Sequence, residues 1–331
     1  MPKVRYVAHH LAHAASAFYA SPFEQAAVLI MDGLGDNFDS VTCWLGRGQS
    51  LKFLRRIRFP HSIGGLYWSI AKYLGFNAHS GEGKVMGLSS YGTPRYREEF
   101  KRLARLAPDG RFEISLDWIA LHLHGNNVTT SKKFTDCFGP PRKTGEPLDQ
   151  RHADIAFALQ RLTEDIVLHV ARHLRSASGV DKLCIAGGAG LNCVANGVLA
   201  SSGMFREIFV QAAAHDAGTS LGAAQYLSHQ VLSCPRDPVQ VSRSYLGPAY
   251  PDAVVAAELD KRSYHLSVEI SDDVCRDTAV LLAQGKLIGW FQGRLEFGPR
   301  ALGNRSILAD PRPSEVKDVL NQRVKFRESF R

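Results

Sequence analysis

The stretch Lys182-Leu-Cys-Ile-Ala-Gly-Gly-Ala-Gly-Leu-Asn192 decides the fold class of this 331-residue chain. Its first part, Lys182–Ala186, has the apolar character of a buried strand, and the paired glycines that follow predict a tight turn. A helix is expected from about Leu191 to Leu199. Upstream, apolar residues recur at helical spacing and predict a helix over Ala153–Leu174. The alternation of helix, strand, glycine turn and helix is typical of an α/β protein.

The same alternation continues on both sides of this stretch. The elements predicted upstream are a helix over His9–Tyr19, a strand hairpin of Ala26–Met31 and Ser40–Leu45, a helix over residues 65–76, a loop over His79–Lys84, and a weakly structured insertion over residues 110–150. The elements predicted downstream are a strand over Phe205–Val210, a helix from Asp216 towards His229, a linker over Pro235–Pro251, a strand near Leu266, a helix over Asp272–Gln284 and a strand over Leu287–Phe291.

The composition excludes several classes of protein. Hydrophobic residues make up 45% and charged residues 22% of the chain, which excludes a disordered or fibrous protein. No apolar run approaches the roughly 18 residues of a membrane helix, and the first residues lack the apolar core of a signal peptide. The six cysteines form no C-x-x-C pair, so no zinc ribbon is indicated and a reducing compartment is favoured. We therefore expect a cytoplasmic protein without a membrane partner.

The positive charge is concentrated near the carboxyl end of the sequence. The net charge is +8, and the last 40 residues contain nine basic and five acidic residues. Arginine dominates there, and its planar guanidinium suits bidentate binding of phosphate or carboxylate. A solvated basic face would give the same composition. No basic tract with interleaved aromatic residues occurs, so nucleic acid is not an expected partner.

Two histidines and two aspartates form the first candidate site. His9 and His13 are four residues apart on the predicted first helix, so their side chains lie on one face. Asp32 ends a buried strand, where sites of open α/β sheets gather. Asp216 stands at the start of a helix, where it could equally be an N-cap. Two imidazoles and two carboxylates suit Fe, Mn or Zn. His169 and His173 share the spacing but fall on an apolar stripe, and we expect them to be packed.

Glycine turns form the second candidate site. Gly187, Gly188 and Gly190 follow a strand and precede a helix, and further turns contain Gly33 and Gly218. Glycines let a ligand approach the backbone, and helix amides favour anions. Neither a dinucleotide fingerprint nor a Walker A motif is present. Any one turn could be purely structural, whereas three in series predict a phosphate cradle.

Arginines form the third candidate site. Arg294, Arg300 and Arg305 lie within a stretch dense in glycine and could hold phosphate or carbonyl oxygens. Glu296 could orient one of them. The alternative is a salt-bridged turn without a ligand.

Together these stretches resemble the O-carbamoyltransferases of the nodulation and antibiotic-tailoring type. The resemblance runs nearly end to end and weakens over residues 100–150. The matching segments are His9–Tyr19 with Ser21-Pro22-Phe23, Asp32-Gly33, Gly81–Gly92, Gly187–Cys193, Ala214–Gly222 and Glu296–Arg312. The last of these is long and specific, and it identifies the chain as a member of that family.

The resemblance implies two domains. Residues 1–240 would form an actin/hexokinase-like ATPase fold, similar to threonylcarbamoyltransferases, and residues 241–331 would begin a threonylcarbamoyl-AMP-synthase-like α/β domain. The resemblance implies a divalent metal, Fe(II), held by His9, His13, Asp32 and Asp216. ATP would lie along Gly33, Gly187, Gly188, Gly190, Asn192 and Gly218. The catalytic residues implied are His10, Arg294, Arg300 and Arg305, of which His10 is a candidate general base by position only.

The implied reaction is ATP-dependent O-carbamoylation. Carbamoyl phosphate would give carbamoyl-adenylate, from which the carbamoyl group passes to a hydroxyl of a sugar or secondary metabolite. Relative to the family, the chain is expected to lack the opening strands and the end of the second domain, which a second polypeptide could supply. The alternatives are an inactive remnant that retains nucleotide or metal binding and a sugar-kinase-like phosphotransferase, against which the arginine motif argues.

Overall fold

The computed structural model describes residues 4–77, 81–124, 128–236, 244–262 and 264–331. They divide into two units, Met1–Ser242 and Arg243–Arg331. The boundary predicted between residues 240 and 241, and Pro238 of the predicted linker, lie outside the described residues. Each unit is α/β, as predicted for the fold class.

A five-stranded mixed sheet organises the first unit. Its order is β3-β2-β1-β6-β7, with β1 antiparallel to β2, β2 antiparallel to β3, and β1, β6 and β7 mutually parallel along the sheet. These strands are β1 Gln25–Met31, β2 Asp39–Arg47, β3 Ser50–Arg58, β6 Lys182–Ala186 and β7 Glu207–Val210; β4 Ala104–Leu106 pairs separately with β5 Phe112–Ile114. The central strand β1 is buried from Ala26 to Met31, because apolar residues there meet packing on both faces.

Helices pack against this sheet. The α-helices of the unit are α1 His9–Ala20, α2 Ile63–Tyr73, α3 Glu82–Leu88, α4 Arg97–Lys101, α5 Leu121–His124, α6 Lys132–Phe138, α7 Gln150–Ser178, α8 Cys193–Ser201 and α9 Ala217–Tyr226. Small residues of α1 (Ala14, Ala15 and Ala17) pack against one face of β1 and bring the helix close to the sheet. Helix α9 lies directly against α1. The helix that carries His9 and His13 is therefore held between sheet and α9.

The longest helix, α7, is defined by its ends. Asp149 accepts a bond from the His152 amide while the His152 ring accepts one from the Asp149 amide, which makes a capping box. Gly179, with φ of 69°, ends the helix in the left-handed conformation. In the described part of the chain, no helix combines the length and apolarity needed to cross a bilayer.

Arg236 fixes the end of α1. Its guanidinium donates hydrogen bonds to the carbonyl oxygens of Phe18, Tyr19, Ser21 and Phe23 and lies 4.6 Å above the Phe18 ring. The last carbonyls of a helix have no partner within it, and a cation there also complements the helix dipole. A residue far along the sequence thus completes the helix that carries both candidate histidines.

Three predictions for this unit were wrong. The insertion over residues 110–150 contains α5 and α6, because Phe134 and Phe138 are fully buried among the aromatic rings of Tyr73, Phe100 and Trp118. The loop over His79–Lys84 gives way to α3 from Glu82, and its residues 79–80 lie outside the described residues. The edge strand β3 was missed because its basic residues obscure the apolar alternation.

The second unit is smaller. It contains α10 Asp252–Asp260, α11 Val274–Ala283, an antiparallel pair of β8 Ile288–Phe291 and β9 Arg305–Leu308, and α12 Val316–Leu320. The predicted helix and the strand before the arginine stretch are confirmed. The strand predicted near Leu266 is wrong: residues 266–270 are exposed and belong to no strand, so apolar residues alone did not make a sheet there.

Candidate metal centre

Four side chains from distant parts of the first unit converge on one point. His9 and His13 come from α1, Asp32 follows β1, and Asp216 precedes α9; one ligand atom of each lies within 4.8 Å of all the others. His9 Nε2 is 2.9 Å from Asp32 Oδ2 and 3.5 Å from Asp216 Oδ1. His13 Nε2 is 3.6 Å from Asp32 Oδ2 and 3.5 Å from Asp216 Oδ1. The structure therefore brings together all four residues predicted to bind the metal.

The local fold explains these positions. The i, i+4 spacing brings the two imidazoles together edge to face, with their Nε2 atoms 3.2 Å apart. The second carboxylate oxygen of Asp32 accepts a 3.1 Å hydrogen bond from the Gly188 amide, which fixes the carboxylate. Asp216 occupies the N-cap position of α9, yet its side chain caps no amide. Its carboxylate faces the imidazoles instead, so capping does not account for it.

The spacing of the four atoms fits a transition metal. At metal–ligand distances of about 2.0–2.2 Å, neighbouring ligands are separated by about 2.8–3.6 Å in octahedral or tetrahedral geometry. The histidine–carboxylate distances of 2.9–3.6 Å match that range. Imidazole nitrogen and carboxylate oxygen together suit Fe, Mn or Zn. A metal-binding histidine usually donates a hydrogen bond from its other ring nitrogen. That bond is missing at His13, because its Nδ1 is buried without a hydrogen-bond partner among the described residues.

The electrostatics of the cluster are those of paired charges. The hydrogen bond to Asp32 raises the pKa of His9, although burial opposes the rise. Burial alone would raise the pKa of Asp32, but hydrogen bonds from His13 and His9 outweigh it and hold that pKa well below its usual range. The Asp32 carboxylate is thus ionised throughout the physiological range.

His10 lies beside this cluster but contributes no ligand atom to it, and it is almost completely buried. Its Nδ1 lies 2.9 Å from Thr42 Oγ1, and its Nε2 has no hydrogen-bond partner among the described residues. Burial lowers the pKa of His10 to about 4, so the ring is neutral at physiological pH. A base of such low pKa is weak, which argues against His10 as the general base.

The second histidine pair behaves as predicted. His169 Nε2 lies 3.0 Å from the carbonyl oxygen of Ala107, and its ring packs against that of His173. Within the described residues, no carboxylate joins this pair to form a group of three possible ligands. Helical spacing alone therefore does not make a ligand pair.

Several glycines of the predicted phosphate cradle are at positions where a larger side chain would clash with neighbouring atoms. Gly187 has φ of 89°, and a Cβ there would overlap the carbonyl oxygen of Met31. A Cβ on Gly218 would overlap the carbonyl oxygen of Ala213, whereas Gly33 has open space around it. Gly190 lies against Ile185, where a Cβ would come within 3.2 Å. The turns lie at the carboxyl edge of the sheet, as expected, but most of these glycines are already required by packing.

Asn192 is engaged by the protein itself. Its side chain accepts a hydrogen bond from the Ala195 amide and caps α8. Its amide also pairs reciprocally with that of Gln160, which in turn accepts a hydrogen bond from Tyr67. Sequence reasoning missed Gln160, which looks like any polar residue of a long helix, and only its burial at 2% exposure distinguishes it.

The arginines of the second unit divide into two kinds. Arg294 donates to the carbonyls of Tyr245 and Leu246, and Arg305 donates to those of Gln292, Gly293 and Asn304. Arg300 is exposed, and in the described part of the chain its guanidinium makes no hydrogen bond or ion pair. Two of the three guanidiniums are therefore engaged by backbone carbonyls, Arg305 within its own loop and Arg294 on the segment that contains Tyr245 and Leu246.

Glu296 does not orient an arginine. Its Oε1 accepts hydrogen bonds from the backbone amides of Leu302, Asn304 and Arg305. Burial raises the pKa of Glu296, but these amides outweigh it and lower the pKa to about 2. Glu296 therefore holds the backbone of its own loop, and the expectation that it orients an arginine was wrong.

Comparison with known proteins adds relatives to this geometry. An uncharacterized protein of Synechocystis sp. is 43% identical over the whole chain, which covers 54% of that relative. Nodulation protein NolNO of Sinorhizobium fredii is 44% identical over 99% of the chain and 46% of its own length. The crystal structure of full-length HypF in the phosphate- and nucleotide-bound form matches 70% of this chain and 44% of that chain, with 15% identity and a TM-score of 0.42.

The chain therefore spans about half the length of these sequence relatives. Two family descriptions match it: "Carbamoyltransferase N-terminus" over residues 1–225 and "Carbamoyltransferase C-terminus" over residues 279–331. The first match contains all four converging side chains, and the second contains the three arginines. With both matches in chain order and 99% of this chain aligned to the nodulation relative, the chain belongs to the carbamoyltransferase family.

Proposed function

We propose that this chain acts in ATP- and metal-dependent O-carbamoyl transfer. Carbamoyl phosphate and ATP would give carbamoyl-adenylate, and the carbamoyl group would pass to a hydroxyl of a small-molecule acceptor. The observation that carries the proposal is the convergence of His9, His13, Asp32 and Asp216 in a chain of the carbamoyltransferase family. Membership of the carbamoyltransferase family supports transfer of a carbamoyl group.

The four converging residues would hold a divalent metal, Fe(II) in our proposal. When bound, such an ion supplies Lewis-acid stabilisation of developing negative charge. The chain's own part is to fix the ligand atoms: α1 holds both imidazoles rigidly, and the Gly188 amide holds Asp32. Asp216 is the most exposed of the four, with 76% of its side chain accessible, so solutes reach the cluster from its side.

The nucleotide would lie along the glycine turns beside the cluster. Gly187, Gly188 and Gly190 connect β6 to α8, and the Gly188 amide at this turn contacts Asp32. Backbone amides of this kind bind phosphate oxygens. Asn192 would act by fixing the start of α8, because its side chain is already hydrogen-bonded to Gln160 and Ala195.

The arginine stretch would bind carbamoyl phosphate. Arg300 is the residue we expect to contact the dianion, since its guanidinium is exposed. Arg305, which holds its own loop, and Arg294, which joins that loop to Tyr245, would shape the site around it. Charge-assisted hydrogen bonds from arginine to phosphate are strong and directional.

One labelling experiment tests the reaction. The chain is incubated with carbamoyl phosphate and ATP labelled at the α-phosphate, alone and together with a polypeptide that corresponds to the part of NolNO that the chain does not cover. Carbamoyl-adenylate is expected in the combined sample, and Arg300→Ala should lower its yield. Absence of the adenylate from every sample would contradict the proposed function.

All six cysteines are free thiols, which agrees with the cytoplasmic location that we propose.

A further inference from the structure

A chain of three side chains leads to His10. Trp44 Nε1 donates a hydrogen bond of 2.9 Å to Thr42 Oγ1, and Thr42 Oγ1 lies 2.9 Å from His10 Nδ1. Thr42 is fully buried and His10 is 3% exposed. Because water is excluded, the hydrogen atoms of this Trp44–Thr42–His10 relay can be assigned by counting.

The count fixes the tautomer of His10. An indole only donates, a hydroxyl has one hydrogen, and a neutral imidazole has one N–H. If Thr42 donates to His10 Nδ1, the His10 proton sits on Nε2, and only that N–H lacks a partner. The opposite direction leaves both the Thr42 hydroxyl hydrogen and the Nε2 lone pair without partners. Since unpaired buried polar groups are costly, the first assignment is favoured.

The Nε2 side of His10 faces the segment that joins Asp32 to β2. A Cβ placed on Gly35 would lie 2.9 Å from Nε2 and would overlap Cδ2. The Asp39 backbone carbonyl favours a proton on the ring, although it makes no hydrogen bond of ordinary geometry with Nε2. The His10 ring is 5.9 Å from that of His9, so a buried, unsatisfied N–H stands next to the candidate metal centre.

We infer that His10 is a hydrogen-bond donor of this site, giving Nε2–H to an anionic oxygen of the carbamoyl donor, and that Thr42 and Trp44 are positioning residues that hold this tautomer. The identity of the acceptor oxygen rests on the proposed function, whereas the tautomer does not. Gly35 covers Nε2, so the segment Gly33–Phe38 shifts when the ligand binds. Leu34 and Phe38 of that segment have exposed side chains, and the shift must break the hydrogen bonds that hold the segment, from the His9 amide to Asp36 and from the Ser62 hydroxyl to the Gly33 carbonyl oxygen.

Nitrogen NMR of the histidine-labelled chain tests the relay without any assay of activity. At neutral pH we expect His10 to carry its proton on Nε2, both in the wild type and in Thr42→Ser. Thr42→Val removes the hydroxyl and should allow the proton to move to Nδ1. A proton on Nδ1 of the wild-type protein would overturn the inference. Addition of ATP, and separately of carbamoyl phosphate, should shift the Nε2–H resonance with at least one of them; no shift with either counts against the donor role.

Two variants of His10 separate donation to a ligand from support of Thr42. The amide nitrogen of glutamine can take the place of Nε2, whereas that of asparagine can take the place of Nδ1. His10→Gln should keep the carbamoyl-transfer rate within about threefold, and His10→Asn should lower it by about 10- to 100-fold, the effect of one lost hydrogen bond to a charged group. Better rescue by asparagine, at equal thermal stability, would mean that His10 only supports Thr42 and would overturn the donor role.

The same measurements distinguish the two proposals. If the wild type makes no carbamoyl-adenylate in any sample, the proposed function fails. The shift of Nε2–H on ligand addition then decides the donor role alone. If adenylate forms but the His10→Gln and His10→Asn variants are equally active, the donor role fails and the proposed function stands.

Discussion

Gly222→Ala is expected to push α9 away from α1. At Gly222 a Cβ would overlap the carbonyl oxygen of Ala12 and come within 2.8 Å of the amide nitrogen of Ser16. Both contacts are backbone atoms of α1, so no side chain can rotate to make room. The matched control is Gly197→Ala in α8, where a Cβ meets nothing within 4 Å.

The magnitude follows from two opposing terms. Replacing glycine by alanine inside a helix stabilises by about 1 kcal/mol, and Gly197→Ala should show that gain. Overpacking costs about 1–3 kcal/mol, and rigid backbone neighbours place Gly222→Ala at the upper end. We therefore expect Gly222→Ala to lower the free energy of unfolding by about 2 kcal/mol relative to the wild type and by about 3 kcal/mol relative to the control.

Equilibrium unfolding in urea, followed by circular dichroism, gives the free energy of unfolding of both variants. The slope of that free energy against urea concentration should be the same for both. Because α9 begins beside Asp216 and α1 carries His13, Gly222→Ala should also weaken metal binding, while Gly197→Ala should leave it unchanged. If the two variants prove equally stable, the close approach of α1 and α9 does not exist as described and the reasoning is refuted.

Further predictions concern the cluster, the end of α1 and the arginine loop. His13→Ala should abolish stoichiometric Fe(II) binding in an anaerobic titration, whereas His173→Ala should leave it intact; equal binding by both would sink the ligand assignment. Arg236→Lys keeps the charge but loses the several N–H donors of the planar guanidinium. Since several carbonyls lose their donor, it should lower the free energy of unfolding, measured in urea, by about 2 kcal/mol. The depressed pKa of Glu296, about 2, means that its contribution to stability is complete above the ordinary glutamate pKa of about 4.3 and declines as pH falls towards 2. A carbon NMR titration of that carboxyl should show the low midpoint, and a midpoint near 4 would contradict the amide contacts.

The fold class and the cluster could be predicted because their signals are local. A strand followed by paired glycines marks the sheet edge, and helical spacing places His9 beside His13. Asp32 and Asp216 were predictable as strand-end and helix-start residues, since the carboxyl edge of a sheet collects such positions. The family motifs then joined parts of the sequence that are far apart.

What could not be predicted depends on tertiary contacts. Phe134 and Phe138 lie in a polar segment, and only their shared burial among aromatic rings makes it helical. Gln160 and Thr42 have ordinary sequence surroundings and become distinctive through partners over 30 residues away. The role of Glu296 also escaped prediction, because a carboxylate near arginines suggests ion pairs, whereas the loop turns its own amides towards it.

The turn between β6 and α8 contacts Asp32 directly and also contacts the backbone just before Asp216. The Gly188 amide donates to Asp32, and the Gly187 amide donates to the carbonyl oxygen of Ala214, two residues before Asp216. A ligand that moves this turn therefore alters the distance between the two aspartates. By thermodynamic reciprocity, it changes the affinity of the cluster for an ion by the same factor by which that ion changes the affinity for the ligand. If, as we propose, nucleotide binds at this turn and a metal at the cluster, these two hydrogen bonds link the occupancy of the two sites.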